Sequence, residues 1–501
     1  MNSRKDRFDV VVAGGGLGGL TAAGLLAKEG RDVILLEKEP AVGGHAAPFE
    51  WKGRRFDTAL HMVMGGSRPT AGGEGIITDV LTRLDVADRC ELVRIEPMYR
   101  AVFPDLDVSV SGAGREGYVA SLAKHFPGRE DAFAELIDDC SRIHSEALRF
   151  PIAPGLIQKL AVPLRFPQLF RNRATTLGEG LDRYGFDADA QSVLAALWLY
   201  LGLPPSRLSF PVWGSMTANM VEEGAFYCMG GFGRLAEALR EGAERHGAEV
   251  RTGTSVQKIV VRDGAVRGVV TDGGDTFHAP IVISNVDARL TVGEMAGAEH
   301  FPADYRAKVE NLRPSIFVVA LYTAIPADLV PSETVHETVV FPSKNHDANF
   351  QAALNGNLDG VTVTIPTITD PAAGPEGEHL VVIQGMIPGD PRSIPDDAVR
   401  QLAECAAPVM PELPGHLGVG PEAAAGFPDR YALRTIGPIY GWERSPDQLG
   451  PRGLGNTTPI EGLYLCGHWS QPGAGVRTVI ISGMRVCRLI LGDRISKGII
   501  G

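Results

Sequence analysis

The chain has 501 residues, 44% of them hydrophobic and 22% charged, and carries a formal net charge of −12. That length predicts two or three hydrophobic cores rather than one. The acidic balance, without a basic run, excludes the electrostatic footprint of a nucleic-acid-binding protein. Six scattered cysteines form no CxxC and no His/Cys cluster, so neither a metal site nor a disulfide framework is indicated. A reducing, cytoplasmic home is the simpler expectation. The start, MNSRKDRFDV, lacks the apolar stretch of a signal peptide, and the apolar runs near 193–203 and 316–325 are too short to span a bilayer.

The most informative stretch comes first. Val10 to Ala13 reads as a buried strand, Thr21 to Glu29 as a helix and Asp32 to Leu36 as a second strand. Between the first strand and the helix stands Gly14-x-Gly16-x-x-Gly19, and Glu37 closes the second strand. This is the dinucleotide-binding βαβ pattern in its required context. Gly14 permits the tight turn, Gly16 admits a pyrophosphate to the backbone, and Gly19 lets the helix pack closely. The helix N-terminus offers free N–H groups to phosphate. A carboxylate at Glu37 suits ribose hydroxyls and disfavours a 2′-phosphate, leaving NAD and FAD. Gly43 and Gly44 allow a second close backbone approach, which fits a long extended cofactor such as FAD.

Further along, Phe49 to Phe56 predicts a hairpin turning at Lys52-Gly53. A loop with His61, Gly65 and Gly66 follows. Ile76 to Leu84 predicts an amphipathic helix, Arg94 to Phe103 and Leu106 to Val110 two strands, and Tyr118 to Phe126 and Asp131 to Leu148 helices. Residues 149–175 mix prolines, large apolar residues and five basic residues. That composition suits either a membrane-contact or tunnel-gating patch or a connector whose apolar residues enter the core, and helical spacing favours the core. Gln191 to Leu203 reads as an apolar helix. Gly230 to Gly233 opens a helix over Arg234 to Arg245, but without the strand and acidic residue of a second nucleotide site. Strands are predicted at 249–252, 256–262, 266–271, 281–284, 312–325, 338–341, 361–368, 379–387 and 463–466, and helices at 396–409 and 475–491. Thr435 to Trp442 reads as an aromatic, glycine-rich loop.

Three segments together resemble the phytoene desaturase, carotenoid isomerase and retinol saturase family of FAD-dependent oxidoreductases. They are Phe8 to Asp57, Gly230 to Ala288 and Ile436 to Gly483, with GGGLGGL, GGFGRLAEAL, SNVDA and GLYLCG-x4-PGAGV-x5-SG as the specific pieces. The PGAGV form is similar to the isomerase and saturase branch, because Val476-Arg477 replaces the second Pro-Gly of bacterial desaturases. The resemblance implies an α/β fold: a Rossmann-like FAD-binding domain of glutathione-reductase-2 or amine-oxidase type with an inserted α+β substrate domain. The implied division is 1–75, 225–300 and 455–501 for FAD, and 76–224 and 301–454 for substrate.

By resemblance, non-covalent FAD is held by Gly14, Gly16, Leu17, Gly18, Gly19, Glu37, Lys38, Gly43, Gly44, His45, Val256, Gly467, His468, Pro472, Gly473, Gly475 and Val476. His468 stands where the family usually has Asp, and an ordinary histidine there titrates near neutral pH. Substrate-side candidates are His61, Tyr440, Trp442 and Arg477. The expected activity is desaturation or cis–trans isomerisation of a hydrophobic polyene, with oxygen or a quinone as electron acceptor and peripheral membrane contact. An amine oxidase and a non-catalytic prenyl-lipid-binding protein are the alternatives of the same fold.

Overall fold

A computed structural model describes residues 5–66, 75–152, 155–388, 394–419 and 428–492. Its organising sheet has five parallel strands in the order Leu463–Leu465, Ile281–Ser284, Val10–Ala13, Val33–Leu36 and Glu249–Arg251. The strands at 10–13 and 33–36 are buried throughout, as expected where both faces of a parallel sheet are covered. Val10, Val12, Val33 and Leu35 pack with the helices Leu17–Lys28, Gly233–Arg245 and Val476–Leu491. Their neighbours Val11, Ala13, Ile34 and Leu36 face the other way. There they meet a three-stranded antiparallel sheet of Val256–Arg262, Ala265–Thr271 and Thr276–His278.

A second, seven-stranded sheet runs Tyr431–Ile436, Phe317–Pro326, Glu378–Ile387, Val361–Thr364, Glu337–Val340, Tyr99–Phe103, Leu106–Val110. All its pairings are antiparallel except that of Glu337–Val340 with Tyr99–Phe103. One face packs on the helices Gly114–Ala123, Glu130–Arg149 and Phe210–Glu223, with Trp198, Trp213, Phe133 and Phe341 fully buried between them. The other face is covered by Ala398–Ala406.

Several elements differ from their sequence expectation. The strand expected over Arg94 to Phe103 is two strands, broken at Glu96-Pro97. Leu92–Ile95 pairs with Ala225–Cys228, whereas Tyr99–Phe103 joins the large sheet. Proline has no N–H to donate to a ladder, so the pairing changes partner there. The helix expected over Gln191 to Leu203 is α-helical only at Ala188–Ala195 and tightens to a 3-10 turn at Ala196–Tyr200. Val193 to Leu203 is almost entirely apolar, so no periodicity marked the change. Tyr431–Ile436 is an edge strand reaching into the expected loop. Within residues 149–175 the core reading fails for Ile157, Leu160 and Leu164, which are 83%, 73% and 87% exposed, whereas Phe166 is buried. Helical spacing measures local order and does not say what covers the apolar face.

Close packing under the first turn is tightest at Gly19. A Cβ there lies 2.3 Å from the Gly14 carbonyl oxygen. Gly19→Ala is expected to destabilise the protein by about 1–3 kcal/mol, the usual cost of overpacking. Thermal unfolding checks this; an unchanged midpoint contradicts the packing role.

Candidate active site

The glycine turns and the segments around residues 58–64, 197–220 and 437–444 open into one cavity of about 2040 Å³. Its dinucleotide end is built around the first strand. Gly14 N–H donates to Leu36 O (2.8 Å), and Gly43 N–H donates to Gly15 O (2.8 Å), so both glycine turns are tied together. Asn285 follows the strand Ile281–Ser284; its N–H donates to Ala13 O (2.8 Å) and its Nδ2 to Gly14 O (3.3 Å). A Cβ on Gly16 would lie 2.7 Å from Asn285 Nδ2, and one on Gly467 would lie 2.2 Å from Asn285 Oδ1. One side chain thus fills the space between the N-terminal and C-terminal glycine turns.

Glu37 is buried at the cavity rim. Its Oε2 accepts from Gly15 N–H (2.6 Å) and its Oε1 from Glu39 N–H (2.9 Å). A carboxylate has lone pairs beyond these two bonds, available to ribose hydroxyls. The helix Leu17–Lys28 has no acidic residue in its first turn, which leaves its N-terminus suited to phosphate. These donors, with the glycine surface that a Cβ would fill, fit a dinucleotide without a 2′-phosphate.

The C-terminal side is a loop, Gly467 to Gly475, leading into the helix Val476–Leu491, also without acid in its first turn. The Arg444 guanidinium lies where a side chain on Gly473 would stand, 1.7 Å from the ideal Cβ, so only glycine fits there. Arg444 Nη1 donates to Pro472 O (3.0 Å). Burial lowers the Arg444 pKa to about 10, still charged at neutral pH. His468 stacks on His45, with ring centroids 5.3 Å apart. Burial, then the neighbouring His45 and Arg444, push the His468 pKa down to about 3. The expectation that His468 titrates near neutral pH is corrected: it is a neutral ring packed in the loop.

Of the cofactor residues expected from sequence, Gly14, Gly16, Leu17, Gly18, Glu37, Lys38, Gly43, Gly44, His45, Val256, Gly467, His468, Pro472, Gly473, Gly475 and Val476 all line the cavity. Gly19 does not; it sits behind the turn. His61, Tyr440, Trp442 and Arg477 line the same cavity. Tyr440 and Trp442 are anchored, the first through its hydroxyl to Leu199 O and the second through Nε1 to Trp469 O, both at 2.9 Å. Asn285 and Arg444 were missed as contacts; SNVDA was the visible sign of the first.

His61 belongs to a polar group that sequence reading missed. Its Nε2 lies 2.7 Å from Gln384 Oε1, and its Nδ1 contacts Thr364 Oγ1. Thr364 Oγ1 is 2.7 Å from Glu337 Oε2, and the Tyr200 hydroxyl donates to Glu337 Oε1. Only His61 and Tyr200 reach the cavity. Burial lowers His61 to about 4 and raises Glu337 to about 8. The group is therefore uncharged at neutral pH, His61 as the neutral ring and Glu337 as the acid.

Glu337 holds its proton more tightly when folded. Its favourable contribution is complete below about pH 4.5 and is lost as pH rises through about 8. Glu337→Gln is accordingly expected to unfold at a higher temperature than the wild type at pH 8.5, relative to their difference at pH 5. A difference independent of pH contradicts the buried acid.

Comparison with known proteins agrees with this geometry. The chain is 26% identical over 517 residues to the carotenoid 3,4-desaturase of Haloarcula japonica, covering 97% of this chain and 98% of the relative. It is 26% identical over 529 residues to the chloroplastic prolycopene isomerase 1 of an Oncidium hybrid cultivar, covering 97% and 84%. Among solved structures, a protein of Pyrococcus furiosus superposes with a TM-score of 0.65 at 18% identity, covering 98% of this chain and 100% of the other. The pattern of the flavin containing amine oxidoreductase family matches residues 17–491. With a parallel sheet, paired glycine turns and a cavity joining them to an apolar chamber, this chain belongs to that family.

Proposed function

We propose that the chain binds FAD non-covalently and acts on carbon–carbon bonds of a long hydrophobic polyene, by desaturation or cis–trans isomerisation. The observation that carries this reading is the continuity of the cavity. It runs from the Gly16 and Glu37 cradle to a chamber lined by Leu60, Met62, Leu197, Tyr200, Met216 and Met220. Its volume is at least about twice that of an ordinary small-molecule pocket, enough for a cofactor and an extended chain together. The names of the two relatives, a desaturase and an isomerase, point the same way.

Bound FAD would supply a hydride acceptor, or a donor when reduced. The chain's own residues have simpler work. Apolar walls exclude water and hold the substrate in line. Gly467 and the loop from Pro472 to Val476 would support the flavin, with the helix N-terminus at Val476 favouring negative charge on a reduced ring. His61, which lines the chamber, is held neutral by burial, its pKa lowered to about 4, and Leu60, Met62, Leu197, Met216 and Met220 make the wall around it apolar. That polarity favours a hydrocarbon chain over an amine cation, and so a polyene enzyme over an amine oxidase. A retained Gly16 and Glu37 cradle argues against a lipid-binding protein without cofactor. We assign the cradle to a FAD-binding domain of residues 1–75, 225–300 and 455–501, and most of the chamber to a substrate domain of residues 76–224 and 301–454.

The mouth of the chamber includes Phe150, Ile152, Lys159, Leu160, Val162 and Phe170. Three short helices, Leu156–Leu160, Val162–Arg165 and Pro167–Arg171, form it. Ile157, Leu160 and Leu164 stand exposed beside Lys159, Arg165, Arg171 and Arg173. No described helix is long and apolar enough to cross a membrane. We propose that this face rests on an anionic membrane surface, from which the substrate enters, in a cytoplasmic protein whose electron acceptor is oxygen or a quinone.

The purified protein is expected to carry flavin, visible in its absorption spectrum. Anaerobic mixing with a polyene such as phytoene or prolycopene then separates the reactions: turnover by oxidised flavin marks a desaturase, and turnover only by reduced flavin without net oxidation marks an isomerase. A protein that neither purifies with FAD nor takes it up overturns the proposal. Leu160→Asp with Leu164→Asp is expected to weaken sedimentation with phosphatidylserine vesicles by about tenfold or more; unchanged sedimentation contradicts the membrane face.

A further inference from the structure

Two buried thiols meet where the helical part of the molecule joins the core of the parallel sheet. Of the six free cysteines, Cys90 and Cys228 hold their Sγ atoms 3.2 Å apart. They are 138 positions apart in sequence, so no spacing marked them as a pair. Cys228 ends the strand Ala225–Cys228, which pairs antiparallel with Leu92–Ile95, Leu92 standing opposite Cys228. Cys90 lies just before that ladder, between the 3-10 turn Ala87–Arg89 and Leu92.

Between these two strands the chain builds Tyr99–Phe103 and Leu106–Val110 of the large sheet, then the helices from Gly114 to Glu223. That block supplies Leu197, Tyr200, Met216 and Met220 to the cavity. Ile95, Phe226, Tyr227 and both cysteines instead pack with the core around the parallel sheet. The strand pair is thus the neck of the block, where the chain leaves that core and where it returns. The returning strand also holds the cavity wall. Phe226 N–H donates to Val63 O (2.8 Å) and Val63 N–H to Phe226 O (2.9 Å), and Val63 lines the cavity.

A disulfide needs its sulfurs about 2.05 Å apart, so this pair must close by about 1 Å. Cys90 can supply that movement because it stands outside the ladder. The surroundings select the oxidant. Cys228 is fully buried and Cys90 is 7% exposed, which shuts out a bulky disulfide such as oxidised glutathione and admits hydrogen peroxide. The contact with Cys90, then burial, raises the Cys228 thiol, which makes Cys90 the sulfur that reacts first.

We propose that Cys90 and Cys228 form a reversible, peroxide-driven disulfide that staples this neck. The Cys90 thiolate attacks one peroxide oxygen; the O–O bond breaks, leaving a sulfenic acid on Cys90 and a hydroxide. The Cys228 thiolate then attacks the Cys90 sulfur; the S–S bond forms, the S–O bond breaks and a second hydroxide leaves. The two thiol protons convert both hydroxides to water, so the thiols lose the two electrons that the peroxide gains. A small dithiol reverses the bond by exchange. The bridge closes a long loop and so restrains the unfolded chain. It stands independently of what occupies the cavity.

The flavin-loaded wild-type protein, treated with hydrogen peroxide and then freed of it, is digested without reduction and mapped by mass spectrometry. A Cys90–Cys228 cross-linked peptide is expected, absent after dithiothreitol. The thermal midpoint of the oxidised protein should rise by about 3 °C or more over the reduced form. Cys90→Ala and Cys228→Ala, each compared with its own untreated sample, should show no such rise while keeping their flavin. Peroxide that leaves both thiols free, converts either to a sulfinic or sulfonic acid, or links one of them to another cysteine overturns the proposal. A bridge that forms without raising the midpoint overturns the staple. Because the mapping uses the wild-type chain, the result does not depend on whether either variant folds.

Discussion

The site depends on one asparagine. Asn285 hydrogen-bonds the first strand through its backbone and Gly14 through its side chain. The same side chain occupies the space that Cβ atoms would need at Gly16 and Gly467. The parallel pairing of Ile281–Ser284 with both Val10–Ala13 and Leu463–Leu465 delivers it there. Sheet order therefore brings the two ends of the chain to one turn, and the absence of side chains on the glycines leaves room for a pyrophosphate and a ribityl chain. The tie between Gly43 and Gly15 extends this surface towards the Glu37 carboxylate.

From that turn the cavity continues into an environment of opposite character. Near the glycines, backbone donors and two helix N-termini favour anions. At the chamber wall, burial keeps His61 uncharged around neutral pH, and so too Glu337 behind it. A polar, anion-seeking end and a largely apolar end in one space suit a charged cofactor whose ring meets a hydrocarbon chain. The protein contributes shape, dryness and orientation, and leaves electron transfer to the cofactor.

The sequence made the cofactor end legible because its determinants are local. Gly14, Gly16, Gly19 and Glu37 sit at fixed spacing within one βαβ unit, and PGAGV precedes one helix. Of the chamber, His61, Tyr440, Trp442 and Arg477 were legible, but the polar group behind His61 was not. His61 meets Thr364 and Gln384 across 303 and 323 positions of sequence, and no spacing rule connects them. His468 read as an ordinary histidine because desolvation is invisible in a sequence. Ile157, Leu160 and Leu164 read as core because their periodicity is that of a buried helix face, whereas three short turns broken around Pro163 and Pro167 hold them outward.

We propose that one cavity holds a flavin and an extended polyene side by side. Anaerobic titration of the flavin-loaded protein with a conjugated polyene tests it most directly, by following the flavin absorption bands and the flavin released to solution. A saturable perturbation of the bands with the flavin retained is expected. Displacement of the flavin by the polyene, or saturable binding that leaves the flavin bands untouched, would contradict it.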